Sequence, residues 1–186
     1  MKLIMKHLIK TGVVLMIITV IGCENLRAEN SFFVERVSDG DTLTVSDKNK
    51  QKFTVRFACI DAPEIPHTNK EKNSRKAKDK NQFSWGLKAK ERLQELIQQG
   101  KNQVYLDVME KDRYGRKLAE VRLKNGTFIQ QVLLQEGLVK IYRSYLNKCP
   151  SKKIMQQAET QAKNQNIGIW NDQKFIDPWE YRKLSK

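Results

Sequence analysis

Histidine is almost absent from this sequence: there are two, His7 near the start and His67 in a polar stretch. That scarcity argues against a histidine-based metal centre and against a Ser-His-Asp hydrolase. Cysteine is scarce too, at positions 23, 59 and 149, with no Cys-x-x-Cys and no Cys/His cluster, so zinc is not expected. Acidic residues are outnumbered, 21 against 35 basic ones, for a formal net charge of +14. Such an excess attracts polyanions, nucleic acid first and an anionic membrane surface second. Charge alone does not choose between these, and a merely solvated basic surface is the alternative. No internal repeat is visible, and 186 residues leave room for one ordinary domain with a real core plus a leader.

The leader is a different material from the rest. Lys2, Lys6 and Lys10 precede an apolar run over residues 13–21, which ends at Gly22-Cys23. A positive start, a short apolar stretch and then small residues read as a secretory signal over 1–22, too short for a comfortable membrane span. Residues 23–31 follow as a linker. Val20-Ile21-Gly22-Cys23 resembles the lipobox of bacterial lipoproteins, which implies cleavage before Cys23 and a lipid anchor on it. A cut nearer Ala28, or an uncleaved anchor, are the alternatives. Removing the leader removes only three lysines, so the basic excess belongs to the remainder. If Cys23 carries lipid, Cys59 and Cys149 remain as a pair that could form one disulfide in an oxidising compartment. Two buried thiols are the other reading.

Beyond the leader the period is that of strands. Residues 32–37, 43–45 and 52–60 alternate apolar and polar around short polar turns and predict an antiparallel meander. Residues 65–82 carry almost no apolar side chain and read as a mobile basic loop. From Phe83 the spacing turns helical, through Leu87, Leu93 and Ile97 to Gly100. Two more strands are expected, over 103–109 with Val104, Leu106 and Val108 on one face, and over 116–123. A short helix follows over 127–136. Ser151 predicts the start of a last helix to about Asn164, with Ile154, Ala158 and Ala162 on its buried side. Trp170, Trp179 and Tyr181 in the tail read as aromatic staples rather than ligand contacts. Five short strands with about three helices suggest an α+β protein built on a small Greek-key barrel of OB type, over residues 32–170, with 171–186 packed on it.

The chain is organised around Arg56 to Glu64, where a strand runs into Asp61 and, three residues on, Glu64, and is stopped by Pro63. A cation, a hard-oxygen ligand and a candidate base lie within nine residues, the composition of a site that handles phosphate with a hard metal ion. Alone, the segment reads equally well as a strand with an acidic turn. Asp39-Gly40-Asp41-Thr42 alone is a turn, and Asp112-Arg113-Tyr114-Gly115-Arg116 alone is a polar loop. Their order and spacing on a basic, strand-rich chain are what chance does not readily supply.

Together these three stretches resemble the staphylococcal nuclease family, from about Phe32 to Trp170. The resemblance implies an OB barrel that hydrolyses DNA and RNA with calcium, cutting the bond to the 5′-oxygen and leaving 3′-phosphate ends. It implies calcium ligands at Asp41 and Asp61 and at the carbonyl of Ala62, with Asp39 in support. It makes Glu64 the base that orients or deprotonates water, and Arg56 and Arg116 the clamps on the phosphate oxygens. Two carboxylates imply a weak site, suited to a calcium-rich compartment. Arg113 and Tyr114 match positions that touch a terminal phosphate, and Tyr145 matches one that packs a base. Two departures stand out: Arg143 falls where the family has a stacking Tyr, and Ala62 replaces the common Thr. No protein partner is implied, and the chain is expected to act as a monomer. The competing reading is a non-catalytic OB module that binds single-stranded nucleic acid, for which the acids would be superfluous. An adhesive lipoprotein would explain the leader and none of the three motifs.

Overall fold

The computed structural model describes residues 31–185. The expected signal over 1–22, the lipid on Cys23 and nearly all of the linker lie outside the described residues.

Five strands close into a barrel: β1 (Ser31–Val37), β2 (Thr42–Ser46), β3 (Lys52–Phe57), β5 (Gln103–Lys111) and β6 (Lys117–Arg122), in the order β1-β2-β3-β6-β5. β1–β2, β2–β3 and β5–β6 pair antiparallel, whereas β3–β6 pair parallel. The strands form where alternate residues are apolar, and those residues fill the barrel: Val34, Val37, Leu43, Val45, Val55, Phe57, Val104, Leu106, Ala119 and Val121 are buried. Each large side chain so buried contributes roughly 1.5–3 kcal/mol. The fold is therefore the expected α+β barrel.

Val108, however, does not share the inward face of Val104 and Leu106; it is 46% exposed. The β5–β6 register shifts between Val108 and Glu110, and beyond that bulge the hairpin runs on to its turn with mostly exposed side chains. The third strand is likewise shorter than predicted. It ends at Phe57, and after a turn at Ala58 and Cys59 a separate β4 (Ile60–Asp61) pairs with β7 (Lys140–Ile141).

There are more helices than the expected three. Six are present among the described residues: α1 (Asn69–Lys72), α2 (Ala77–Gln99), α3 (Ile129–Gln135), α4 (Arg143–Leu146), α5 (Lys152–Asn164) and α6 (Pro178–Leu184). The predicted basic loop is thus largely helical. Thr68 and Glu71 form a capping box that starts α1, and α2 begins six residues before Phe83, its first turn polar and without periodicity. The buried face of α2 runs through Phe83, Gly86, Ala89, Leu93, Leu96 and Ile97, while Leu87 is exposed. In α5 the buried face is Met155, Ala158, Glu159 and Ala162, so Ile154 points outward instead. The face is turned toward Met155 and Glu159, whose carboxylate is satisfied inside by the Ile141 N–H (2.8 Å) and Arg143. Among the described residues no helix is long and apolar enough to cross a membrane.

Candidate active site

The Asp39–Thr42 turn is shaped by its own side chains. The Asp41 N–H donates to Asp39 Oδ1 (3.0 Å), and the Ser38 N–H closes the loop onto the Thr42 carbonyl (2.9 Å). Gly40 lies between the methyl groups of Ala62 and Ala89; a β-carbon there would meet them at 2.8 and 2.7 Å. This close approach brings Asp41 against the Asp61–Ala62 segment, where its Oδ2 accepts from the Ala62 N–H (2.6 Å). Asp61 is held in turn by β4–β7 pairing opposite Lys140, and the Tyr142 N–H donates to the Cys59 carbonyl (2.9 Å). A disulfide joins Cys59 to Cys149 across 90 residues, with α-carbons 6.5 Å apart, and ties this turn to the start of α5.

Asp41 and Asp61 are 1% and 2% exposed. Arg56, at the end of β3, bridges them: Nη1 donates to Asp41 Oδ1 and Nη2 to Asp61 Oδ1 (2.5 Å). Burial pushes the Asp41 carboxyl well above the usual carboxylate range; Arg56 opposes this, and the neighbouring Asp39 and Asp61 add to it. Burial works against the Arg56 charge as well, but Asp41 and Asp61 outweigh it and leave the guanidinium pKa raised.

Glu64 follows Pro63 on a segment that lies directly on α2. A β-carbon at Gly86 would come within 2.1 Å of the Glu64 carbonyl oxygen, so only glycine lets helix and loop meet here. The buried Gln82 amide, oriented to satisfy both neighbours, accepts from the Glu64 N–H (3.1 Å) and donates to the Ile176 carbonyl (3.0 Å).

The third motif is the turn between β5 and β6. Asp112 Oδ1 accepts from the N–H groups of Tyr114 (2.9 Å) and Arg116 (3.0 Å), its Oδ2 accepts from Arg116 Nε (2.7 Å), and Gly115 takes φ +78. Slight burial disfavours the Asp112 charge, but the bonds from Arg116 and Tyr114 more than offset it and hold its carboxyl below the usual range. The motif's Asp and Gly thus build the turn, and its Arg113, Tyr114 and Arg116 are presented. Tyr114 is 68% exposed, with the guanidiniums of Arg113 and Arg116 4.9 and 5.5 Å from its ring centre.

One groove of about 970 Å³ is lined by Arg56, Asp61, Glu64, Arg113, Tyr114, Arg116 and Tyr145, together with Asp39. Asp41 and Ala62 are buried and do not line it themselves; Asp41 bonds to Arg56, which does. Arg116 lines the groove while hydrogen-bonded to Asp112, and it makes no bond to the buried carboxylates. The sequence reading missed a further wall, supplied by α6. Trp179 packs on Tyr142 (5.6 Å between ring centres), which stacks on Tyr145 (5.6 Å), and Arg182 reaches Asp61 and Glu64. The one available signal was Pro178, a good first residue for a helix after Asp177.

A family model described as staphylococcal nuclease homologue matches residues 54–172. The chain is 32% identical over 181 residues to a micrococcal nuclease of Shigella flexneri, covering 93% of this chain and 90% of that protein. It is 32% identical over 184 residues to an uncharacterized endonuclease of Haemophilus influenzae, covering 99% and 89%. Endonuclease YncB of Bacillus subtilis is 33% identical over 147 residues, covering 77% and 63%. A barrel carrying buried paired carboxylates, a carboxylate on a helix-backed loop and arginines around one groove, in a chain this similar to known nucleases, belongs to the staphylococcal nuclease family and is a nuclease.

Proposed function

We propose that the protein is a calcium-dependent phosphodiesterase that hydrolyses DNA and RNA to 3′-phosphate products, exported and tethered by a lipid on Cys23. The observation that carries the metal reading is the pair of buried carboxylates at the groove floor: Asp41 and Asp61 converge on Arg56, Asp39 accepts from the Asp41 N–H, and Arg182 bridges Asp61 to Glu64. The donors are all oxygen, which suits a hard ion. Asp41, Asp61 and the Ala62 carbonyl would hold calcium with an incomplete shell, leaving room for water and a phosphate oxygen.

Calcium so held would supply Lewis acidity to the phosphate. Glu64 would accept a proton from the attacking water as the new bond to phosphorus forms. Arg56 and Arg116 would donate to the non-bridging oxygens, where charge builds in the transition state. The bond from phosphorus to the 5′-oxygen then breaks, and that oxygen leaves as a hydroxyl after protonation by water. Arg113, Tyr114 and Tyr145 would bind the nucleotides on either side.

The test is cleavage of plasmid DNA and of RNA by the full chain, with calcium and with EGTA, followed by chemical identification of the new ends. Cutting that stops in EGTA and leaves 3′-phosphates is the expected result. Retention of nucleic acid without cutting would instead make the protein a binding module. A lipid-bearing Cys23 at the mature N-terminus, read by mass spectrometry, tests the tether.

A further inference from the structure

We infer that Arg182, on the C-terminal helix α6, is a positioning residue of the active site that fixes Glu64 and Asp61 in one shared orientation. This rests on the nuclease reading of Glu64 and adds a residue beyond the matched segment, which ends at 172.

The contact is a fork across two carboxylates. Arg182 Nη2 donates to Asp61 Oδ2 (2.5 Å), and Nη1 donates both to Asp61 Oδ1 (3.2 Å) and to Glu64 Oε1 (2.6 Å). A planar guanidinium can hold two acceptors at a set angle, which a point charge cannot. Among the described residues this is the one hydrogen-bonding partner of the Glu64 side chain. Its side chain is 28% exposed and long, with rotatable bonds to spare. Without Arg182 the base would sample several rotamers, and a base that wanders by about 1 Å forfeits on the order of a hundredfold in rate.

Arg182 is itself held firmly for a residue so near a chain end. Tyr181 beside it is buried, its ring edge-on to Phe83 (6.0 Å) and its hydroxyl donating to Asp79 Oδ1 (3.0 Å). Lys78 Nζ donates to the Leu184 carbonyl (2.7 Å), and Lys140 Nζ to Asp177 Oδ1 (2.6 Å). Gln82 joins the same two segments through their backbones, bonding Glu64 N–H and Ile176 C=O. The base is thus fastened to the C-terminal segment twice, through Gln82 to its main chain and through Arg182 to its side chain. The aromatic anchors on the buried face of α6 account for why the helix docks. They do not account for a guanidinium beside them that spans the two acids.

The experiment is a double-mutant cycle on the full chain, using Arg182→Ala, Glu64→Ala and the pair, with kcat and KM measured on one oligonucleotide. Arg182→Ala is expected to lower kcat about 10- to 100-fold with little change in KM, and Arg182→Lys to recover part of it. In the Glu64→Ala background the second substitution is expected to cost clearly less than in the wild type, the remainder being what acts through Asp61. Multiplicative losses, or a rise in KM at constant kcat, would overturn the inference, because Arg182 would then be contacting phosphate on its own account. A lower melting temperature with kcat unchanged below it would reduce Arg182 to a staple. An inactive wild type would sink the nuclease reading instead. Crystals of Arg182→Ala speak to Arg182 even in that case: Glu64 in several rotamers supports the inference, and Glu64 in its single original rotamer refutes it.

Discussion

The two ends of the groove are built on opposite plans. At the floor, Asp41 and Asp61 are almost wholly buried, and the bonds that hold them join the β1–β2 turn to the end of β3, the loop on α2, and α6. At the rim, Arg113, Tyr114 and Arg116 sit on one hairpin turn that is held by its own Asp112 and Gly115. The floor is a product of long-range packing and is preorganised; the rim is local and exposed. Fixed dipoles in a dry site act on the transition state, whereas exposed stacking and charge act mainly on binding. The floor, together with Arg116 reaching in from the rim, is therefore expected to govern kcat, and Arg113 and Tyr114 at the rim KM.

The sharpest way to break this contrast is Glu64→Ala, expected to lower kcat about 10²- to 10⁴-fold with KM nearly constant in steady-state assays on an oligonucleotide. An equal change in KM would place Glu64 in binding. Next in size is the disulfide below the floor: replacing Cys59 and Cys149 with Ala is expected to cost about 2–5 kcal/mol of stability, read by urea denaturation. The hairpin rim, which the bridge does not touch, should keep its local order in the same protein.

The same substitution made at each end gives a third test. Gly86→Ala drives a methyl group into the Glu64 backbone and is expected to lower kcat roughly a hundredfold. Gly115→Ala meets nothing within 4 Å and is penalised only by its φ of +78, about 1–2 kcal/mol confined to the hairpin. Similar losses of kcat at both positions would refute the division. Tyr114→Ala should raise KM about tenfold, the lower range of one lost base-stacking contact, and leave kcat within a few-fold.

The smallest effect is one of pH. The folded-state pKa of Asp112 is lowered, so its contribution to the hairpin is complete above the ordinary carboxylate value and is lost as pH falls through the lowered one. Hydrogen exchange at Gly115 should accelerate over that acid window, and Asp112→Asn should abolish the dependence.

Much of this was legible because strands announce themselves by a period of two. The Phe53–Phe57 alternation and the Asp-Gly-Asp and Asp-Arg-Tyr-Gly-Arg turns carry local geometry in their own side chains. Helical spacing was less informative. The start of α2 has no apolar stripe to show, and in α5 the buried face is turned toward Met155 and Glu159 rather than Ile154. Such choices depend on which hydrogen bonds await a residue inside the fold.

The amino-acid sequence alone determined the barrel, the three acidic and basic motifs and the residues they offer to a phosphodiester, since each is encoded within a few consecutive positions. Only the tertiary structure decided that Arg182 completes the site and that Gln82 and Gly86 fit the Glu64 loop to its helix. A contact between residues more than a hundred positions apart has no local pattern; it exists because buried aromatics dock α6 at one place on the core.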